Sequence, residues 1–188
     1  MLKNDKWIIE QAKLGMIDPF ESSLVRQIDD RRVISYGLSS YGYDLRLAPT
    51  DFRVFRHIPG TVVNPKRFNP DNLERIALQT DEDGSFFIIP ANSYALGVSL
   101  ERLRIPPNIT VICIGKSTMA RCGIIANITP AEASWEGYLT SVSYTHLDVY
   151  KRQPVPRSPI PNPRSPIPDP QSLDSCLNFL KLRVKTIP

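Results

Sequence analysis

A chain of 188 residues, 41% of them hydrophobic, is long enough to bury one real core but short for two, so one domain with an extension is expected. Lys+Arg 23 against Asp+Glu 19 is a mild basic excess, much of it in the final third, which argues against nucleic acid as a partner. Three cysteines without paired spacing argue against a disulfide scaffold and against a local zinc cluster, and charges interrupt "MLKNDKWIIEQAKLG" where a signal peptide needs an apolar run; with no stretch of transmembrane length, a soluble cytoplasmic protein with no membrane partner is expected.

The first element is a short amphipathic helix. "KWIIEQAKLGMI" sets Trp7, Ile8, Ala12 and Leu14 at near-helical spacing, with Gly15 as a stop. In "SYGLSSYGYDLRL", Gly37 and Gly42 mark tight turns, after which Asp44 and Arg46 alternate with Leu45 and Leu47 on a strand with one polar face, Asp44 pairing in the neighbourhood of Arg46. The runs "FRVF", "GSFFIIP", "SYALGVSLERLRIP", "ITVICIG" and "GYLTSVSY" read as further short strands divided by Gly, Pro, Asn and Asp. Many short strands without long helices between them predict an all-β barrel or sandwich.

Chemistry concentrates after "ITVICIG". Lys116, Ser117, Thr118 and Arg121 follow Gly115, where amides and side chains can meet a polyanion; the glycine spacing of a Walker A loop is missing. Lys116 reads equally well as a solvated loop lysine. Arg121, between Ala120 and Cys122, wants a carboxylate or a phosphate. Glu132, Trp135 and Glu136 come after the turn residues Thr129 and Pro130; Trp135 either lines a base-binding pocket or packs at the core boundary, and Glu136 beside Gly137 is turn chemistry. Neither His57 nor His146 has a second ligand at a diagnostic spacing, the zinc deaminase signature is absent, and Cys113 in its apolar strand reads as buried and inert.

After about residue 150 the character changes. "RSPIPNP" is followed at once by "RSPIPDP", and a run so rich in proline cannot supply barrel strands; it is expected to be polyproline II or disordered. The last piece, "LDSCLNFLKLRVK", reads as a short helix or strand without an obvious partner.

The blocks "ISYGLSSYGYDLRL", "FRHIPGTVVNPKRFNP", "SFFIIPANSYALGVSLERLRIP" and "GKSTMARCGIIANITPAEASWEGYLT", in that order, resemble the dCTP deaminases of the trimeric dUTPase-like superfamily, over residues 1 to about 140. The resemblance implies a distorted dUTPase-like β-barrel (β-clip), assembled as a homotrimer with sites at subunit interfaces. It implies hydrolytic deamination of dCTP to dUTP and ammonia in pyrimidine deoxynucleotide synthesis, without zinc and with Mg2+ accompanying the triphosphate. It also places substrate contacts at Lys116, Ser117, Thr118, Met119, Ala120 and Arg121, and at Thr129, Pro130, Glu132, Trp135 and Thr140, with Ser117 and Arg121 reaching the reaction centre.

The chain then departs from that family. The usual continuation is of the type "WEGxxTLEFSN", its catalytic glutamate two residues past the threonine; here "WEGYLTSVSYTH" puts Val142 at that position. The family's last strands and its closing C-terminal segment are missing, and "SVSYTHLDVYKRQ" resembles a foreign stretch. Residues 1–140 therefore read as an incomplete deaminase-like barrel and residues 141–188 as a divergent proline-rich tail, in a chain expected to be inactive. Alternatives on the same fold are a dUTPase-type nucleotidohydrolase, whose aspartate motif and glycine-rich lid are not found, and an inert nucleotide-binding fragment. A jelly-roll protein without a ligand leaves the clustering of Lys116, Ser117 and Arg121 unexplained.

Overall fold

The computed structural model describes residues 1–28, 30–81, 84–91, 93–145 and 180–186, so the proline-rich run and the disorder expected of it lie outside the described residues. The N-terminal helix forms as expected, as α1 (Asp5–Lys13). The Asn4 side chain accepts the Trp7 N–H at 3.1 Å, and Asp5 and Lys13 sit at the ends that suit the helix dipole. Ile8 carries the buried face, whereas Leu14 falls past the last turn and is exposed.

Among the described residues thirteen strands follow: β1 (Ile17–Asp18), β2 (Leu24–Ile28), β3 (Arg31–Ser39), β4 (Gly42–Leu45), β5 (Leu47–Phe55), β6 (Leu73–Arg75), β7 (Gln79–Asp81), β8 (Gly84–Phe86), β9 (Tyr94–Arg104), β10 (Ile109–Gly115), β11 (Ile124–Asn127), β12 (Glu136–Thr145) and β13 (Leu180–Thr186). A one-turn helix, α2 (Ser117–Arg121), separates β10 from β11. One sheet runs β11-β12-β9-β5-β6, with β1 also on β9, and a second runs β10-β13-β4-β3-β2; β7 and β8 form a hairpin. This is the all-β architecture expected from the short strand runs.

Strand β9 is the spine of the first sheet. Its residues Ala95, Gly97, Ser99, Glu101 and Leu103 are buried, and the alternate positions are more open, the period of two that a half-covered strand requires. A Cβ at Gly97 would lie 2.4 Å from the Leu47 side chain and 3.2 Å from Phe52, so the missing side chain lets β5 close over β9. Phe52 then stacks on Phe87 with ring centroids 4.4 Å apart, and Tyr43, Leu45 and Ile109 complete the core from the other sheet. Where β12 slips register against β9, Ser99 repairs the ladder: its Oγ accepts the Leu139 N–H at 2.9 Å and donates to the Glu101 carbonyl at 2.7 Å.

Three local readings change. Gly37 lies inside β3, opposite Leu24 and Asp44, and not in a turn; its φ is +94°, and a Cβ there would strike the Ser23 carbonyl at 2.1 Å. Strand β4 has no polar face, because all four of its residues are buried and Asp44 is covered by Lys116 and Ser35. Finally, residues from the piece for which no partner was evident form β13, paired antiparallel with β10 on one side and β4 on the other.

Candidate functional site

Strand β10 delivers the polar cluster. Gly115 is its last residue, and the lack of a Cβ lets β11 approach to where that atom would sit 3.2 Å from the Ala126 carbonyl. Lys116 follows, and it is not a solvated loop lysine. Only 9% exposed, its ammonium donates to Asp44 Oδ2 at 2.6 Å, to Ser35 Oγ at 2.9 Å and to the Ser35 carbonyl. These acceptors match the three N–H donors of a lysine, so nothing is left over for a further ligand in this arrangement. Asp44 thus pairs with Lys116 and not near Arg46.

Helix α2 divides its residues between core and solvent. Met119 is buried in the core, whereas Ser117, Thr118, Ala120 and Arg121 are exposed. Ser117 and Arg121 stand four residues apart, which puts a hydroxyl and a guanidinium on one helix face about 5 to 6 Å apart at Cβ. Arg121, whose context called for a carboxylate or a phosphate, has no ion-pair partner among the described residues.

The return from β11 is pinned to β10. Ala131 and Val111 exchange both backbone hydrogen bonds at 2.9 Å, which fixes the turn carrying the exposed Thr129 and Pro130. Glu132 is exposed, and its carbonyl accepts the Trp135 N–H at 3.1 Å. Trp135 packs against the core with its ring over Gly137, where a Cβ would be 3.1 Å from the ring, so boundary packing is its visible role. Glu136 opens β12 and pairs with Arg102 at 2.7 Å, an exposed strand-to-strand bridge where turn chemistry was expected.

Thr140 is exposed on β12, and Val142, two residues on, shares its face. Val142 lies across from Asn127 on β11 and Leu96 on β9, and it borders an open cavity of about 860 Å³ walled by Phe68, Leu73, Tyr94, Leu96 and Tyr144. That is the volume of a small-molecule site. The polar residues of α2 do not line it, so the structure brings Ser117 and Arg121 together on one face but holds them apart from the wall that carries position 142.

One buried charge pair escaped the sequence reading. Glu101 is fully buried and accepts from Arg46 twice, Nε to Oε1 at 2.7 Å and the backbone N–H to Oε2 at 2.9 Å, while Arg46 also lies over the Tyr36 ring. Burial pushes the Glu101 carboxyl above its ordinary value even against these donors. The signal was available: Glu101 falls on the buried phase of β9 between Ser99 and Leu103. Cys113 is half-buried where full burial was expected, and its burial pushes the thiol up to about 11. Among the described residues no group of three His, Cys, Asp or Glu side chains forms a metal cage.

The fold has a counterpart among solved structures. It is shared with the crystal structure of a 2'-deoxycytidine 5'-triphosphate deaminase from Agrobacterium tumefaciens at a TM-score of 0.56 and 14% identity, over 99% of this chain and 48% of that one. A family model described as dCTP deaminase-like matches residues 2–155, and the chain belongs to that family. Among its relatives, the dCTP deaminases of Polaromonas sp. (strain JS666) and Paracidovorax citrulli are each 52% identical over 140 residues, and that of Neisseria meningitidis serogroup B is 49% identical over the same length. Each match covers 74% of this chain and 71% of the relative, so this chain spans under three quarters of those relatives and about half of the solved structure's chain.

Proposed function

We propose that this chain carries the nucleotide-handling part of a dCTP deaminase, an enzyme that converts dCTP to dUTP and ammonia in pyrimidine deoxynucleotide synthesis, and that in its present sequence it does not complete the reaction. The observation that carries this reading is the Ser117–Arg121 pair, a hydroxyl and an unpaired guanidinium on one exposed helix face directly after a buried strand. The names of relatives about half identical over 140 residues give the substrate class.

Deamination at C4 of cytosine needs a water made nucleophilic, a proton returned to the ring, and donors for the charge that develops. Arg121 is the donor that the fold leaves free, and Ser117 is placed beside it to hold a water or the base. Thr118 faces the same solvent and suits the triphosphate, which arrives as its Mg2+ complex. Lys116 enters as the anchor that ties the loop to β4 through Asp44, since its three donors are already engaged. Thr129, Pro130 and Glu132 border the loop on the side where base and sugar would lie. The proton-transfer carboxylate is the missing part, because Val142 occupies its position.

A homotrimer with sites completed between subunits accounts for two features together: the separation of the α2 face from the cavity at Val142, and the exposed Ile112, Ile114 and Ile125, which offer apolar surface to a neighbour. A cytoplasmic location follows from the substrate. No helix among the described residues is long and apolar enough to cross a membrane. The test is formation of dUTP from Mg2+ and dCTP by this chain and by one whose residues 141–188 are replaced with a family-like "LEF" continuation. Activity only in the second supports the reading; inactivity of a folded, repaired trimer overturns it.

A further inference from the structure

Strand β10 has one strand partner, β13, and without it both β10 and the neighbouring edge of β4 would present open rows of N–H and C=O groups. Residues 180–186 pair with all seven residues of β10, and residues 180–182 pair with β4 as well. The pairing is in phase with the core. Position 182 stands across from Tyr43 and Cys113, position 184 across from Val111, position 186 across from Ile109 and position 180 across from Leu45. Of these partners Tyr43 and Ile109 are 0% exposed, Val111 1% and Leu45 2%. In an antiparallel ladder opposed residues share a face, so the apolar positions of "LKLRVKT" register with the core, while Arg183 registers with the exposed Ile112 and Lys181 with the exposed Ile114 on β10 and with the buried Asp44 on β4. A slip of one residue would reverse every assignment.

This strand lies past residue 155, where the family-model match ends, although the fold shared with the solved deaminase runs over 99% of the chain. We infer that the gap between β4 and β10 is a strand-acceptor site, recognising an extended segment with apolar residues at every second position and cations between them, and that the chain's own Leu180–Thr186 occupies it. Recognition is by main-chain ladder and alternate-residue fit, the logic of β-strand addition. The inference is independent of the deaminase reading, since it concerns closure of the sheet and not the nucleotide.

The test uses the full chain. Amide hydrogen exchange at residues 181–186 should be slowed at least tenfold relative to a free peptide of residues 179–187, at all protein concentrations. A full-length Leu182→Pro variant, whose own strand loses a ladder donor, should capture that peptide when fluorescently labelled, whereas the unaltered chain and a peptide carrying the same proline should not. Exchange at the free-peptide rate overturns the inference whether or not the proline variant folds. Protection that appears only with a concentration-dependent dimer overturns the assignment to the chain's own strand, and failure of a folded Leu182→Pro chain to take the peptide overturns the acceptor site.

Discussion

Ser141 on β12 stands directly across from Gly97 on β9, buried and with a hydroxyl that finds no hydrogen-bond partner among the described residues. Leu47 and Leu139 close the remaining space around it. A buried hydroxyl without a partner costs about 1 to 3 kcal/mol, and the resemblance pattern "TLEF" carries an apolar residue at this place. Ser141→Ala should therefore raise stability by about 1 kcal/mol, read as a higher urea midpoint at unchanged slope. A lower midpoint would mean that the hydroxyl has a partner the fold does not reveal.

The Lys116–Asp44 pair makes a second prediction. Both side chains are buried, so removing one strands the other charge; Lys116→Ala should cost about 3 to 5 kcal/mol, far above the effect of losing a surface lysine. Lys116→Met combined with Asp44→Leu should recover most of that loss. Chemical denaturation of both single variants and the double variant gives the coupling. Additive losses would show that the two charges do not depend on each other.

The Glu101 carboxyl is raised by burial, and the sign of its pH effect follows. Between its ordinary value of 4.5 and its raised folded value, the folded state binds more protons than the unfolded state, so stability falls as pH rises through that window. Glu101→Gln should remove this slope. Stability against pH for the two proteins decides it; a slope that rises with pH in the parent would mean that the Arg46 contacts outweigh burial.

Cys113, with its thiol pushed up to about 11 by burial, should resist alkylation at neutral pH, while the exposed Cys122 reacts. Peptide mapping after brief iodoacetamide treatment should find Cys122 labelled and Cys113 labelled only after unfolding. Equal labelling of the two in the native protein would contradict the burial of β10.

The sequence revealed its elements where a single rule decided them. The N-terminal helix of "KWIIEQAKLG", the strand run that is β9 and the apolar run of β10 read directly, because periodicity and burial agree there. Partners were another matter. Asp44 was expected to pair in the neighbourhood of Arg46, two residues away, and only the sheet order that brings β10's end beside β4 selects Lys116, 72 positions on. The candidate site reads as the loop from Lys116 to Arg121, and nothing local tells which of its residues the fold engages: Lys116 is held in an ion pair and Met119 in the core. Strand β13 was unreadable because its partners lie 65 to 139 residues away in the chain, beyond any local pattern.

The last prediction concerns position 142. On the proposal that position 142 is that of the proton-transfer carboxylate, Val142 cannot carry the proton; loss of a general base alone costs about 10²- to 10⁴-fold, so this chain should form dUTP from dCTP at least about 10²-fold more slowly than a repaired one, even when folded. Restoration needs more than Val142→Glu. On β12 the odd positions 141 and 143 face the core and the even positions 140 and 142 face outward, so Ser141→Leu, Val142→Glu and Ser143→Phe together return apolar groups inward and a carboxylate outward. That carboxylate would border the open cavity whose Phe68, Leu73 and Leu96 partly desolvate it, beside Ser93 and Thr145, which shifts a carboxyl's pKa upward. With a family-like C-terminus in place, dUTP formation should appear and kcat should fall as pH drops through that raised value, since the base must be ionised to act on water. Arg121→Ala in the same background should then cost about 2 to 4 kcal/mol of transition-state stabilisation. Unchanged kcat for Arg121→Ala would remove that residue from the reaction, and activity of the unrepaired chain equal to that of the repaired one would remove position 142.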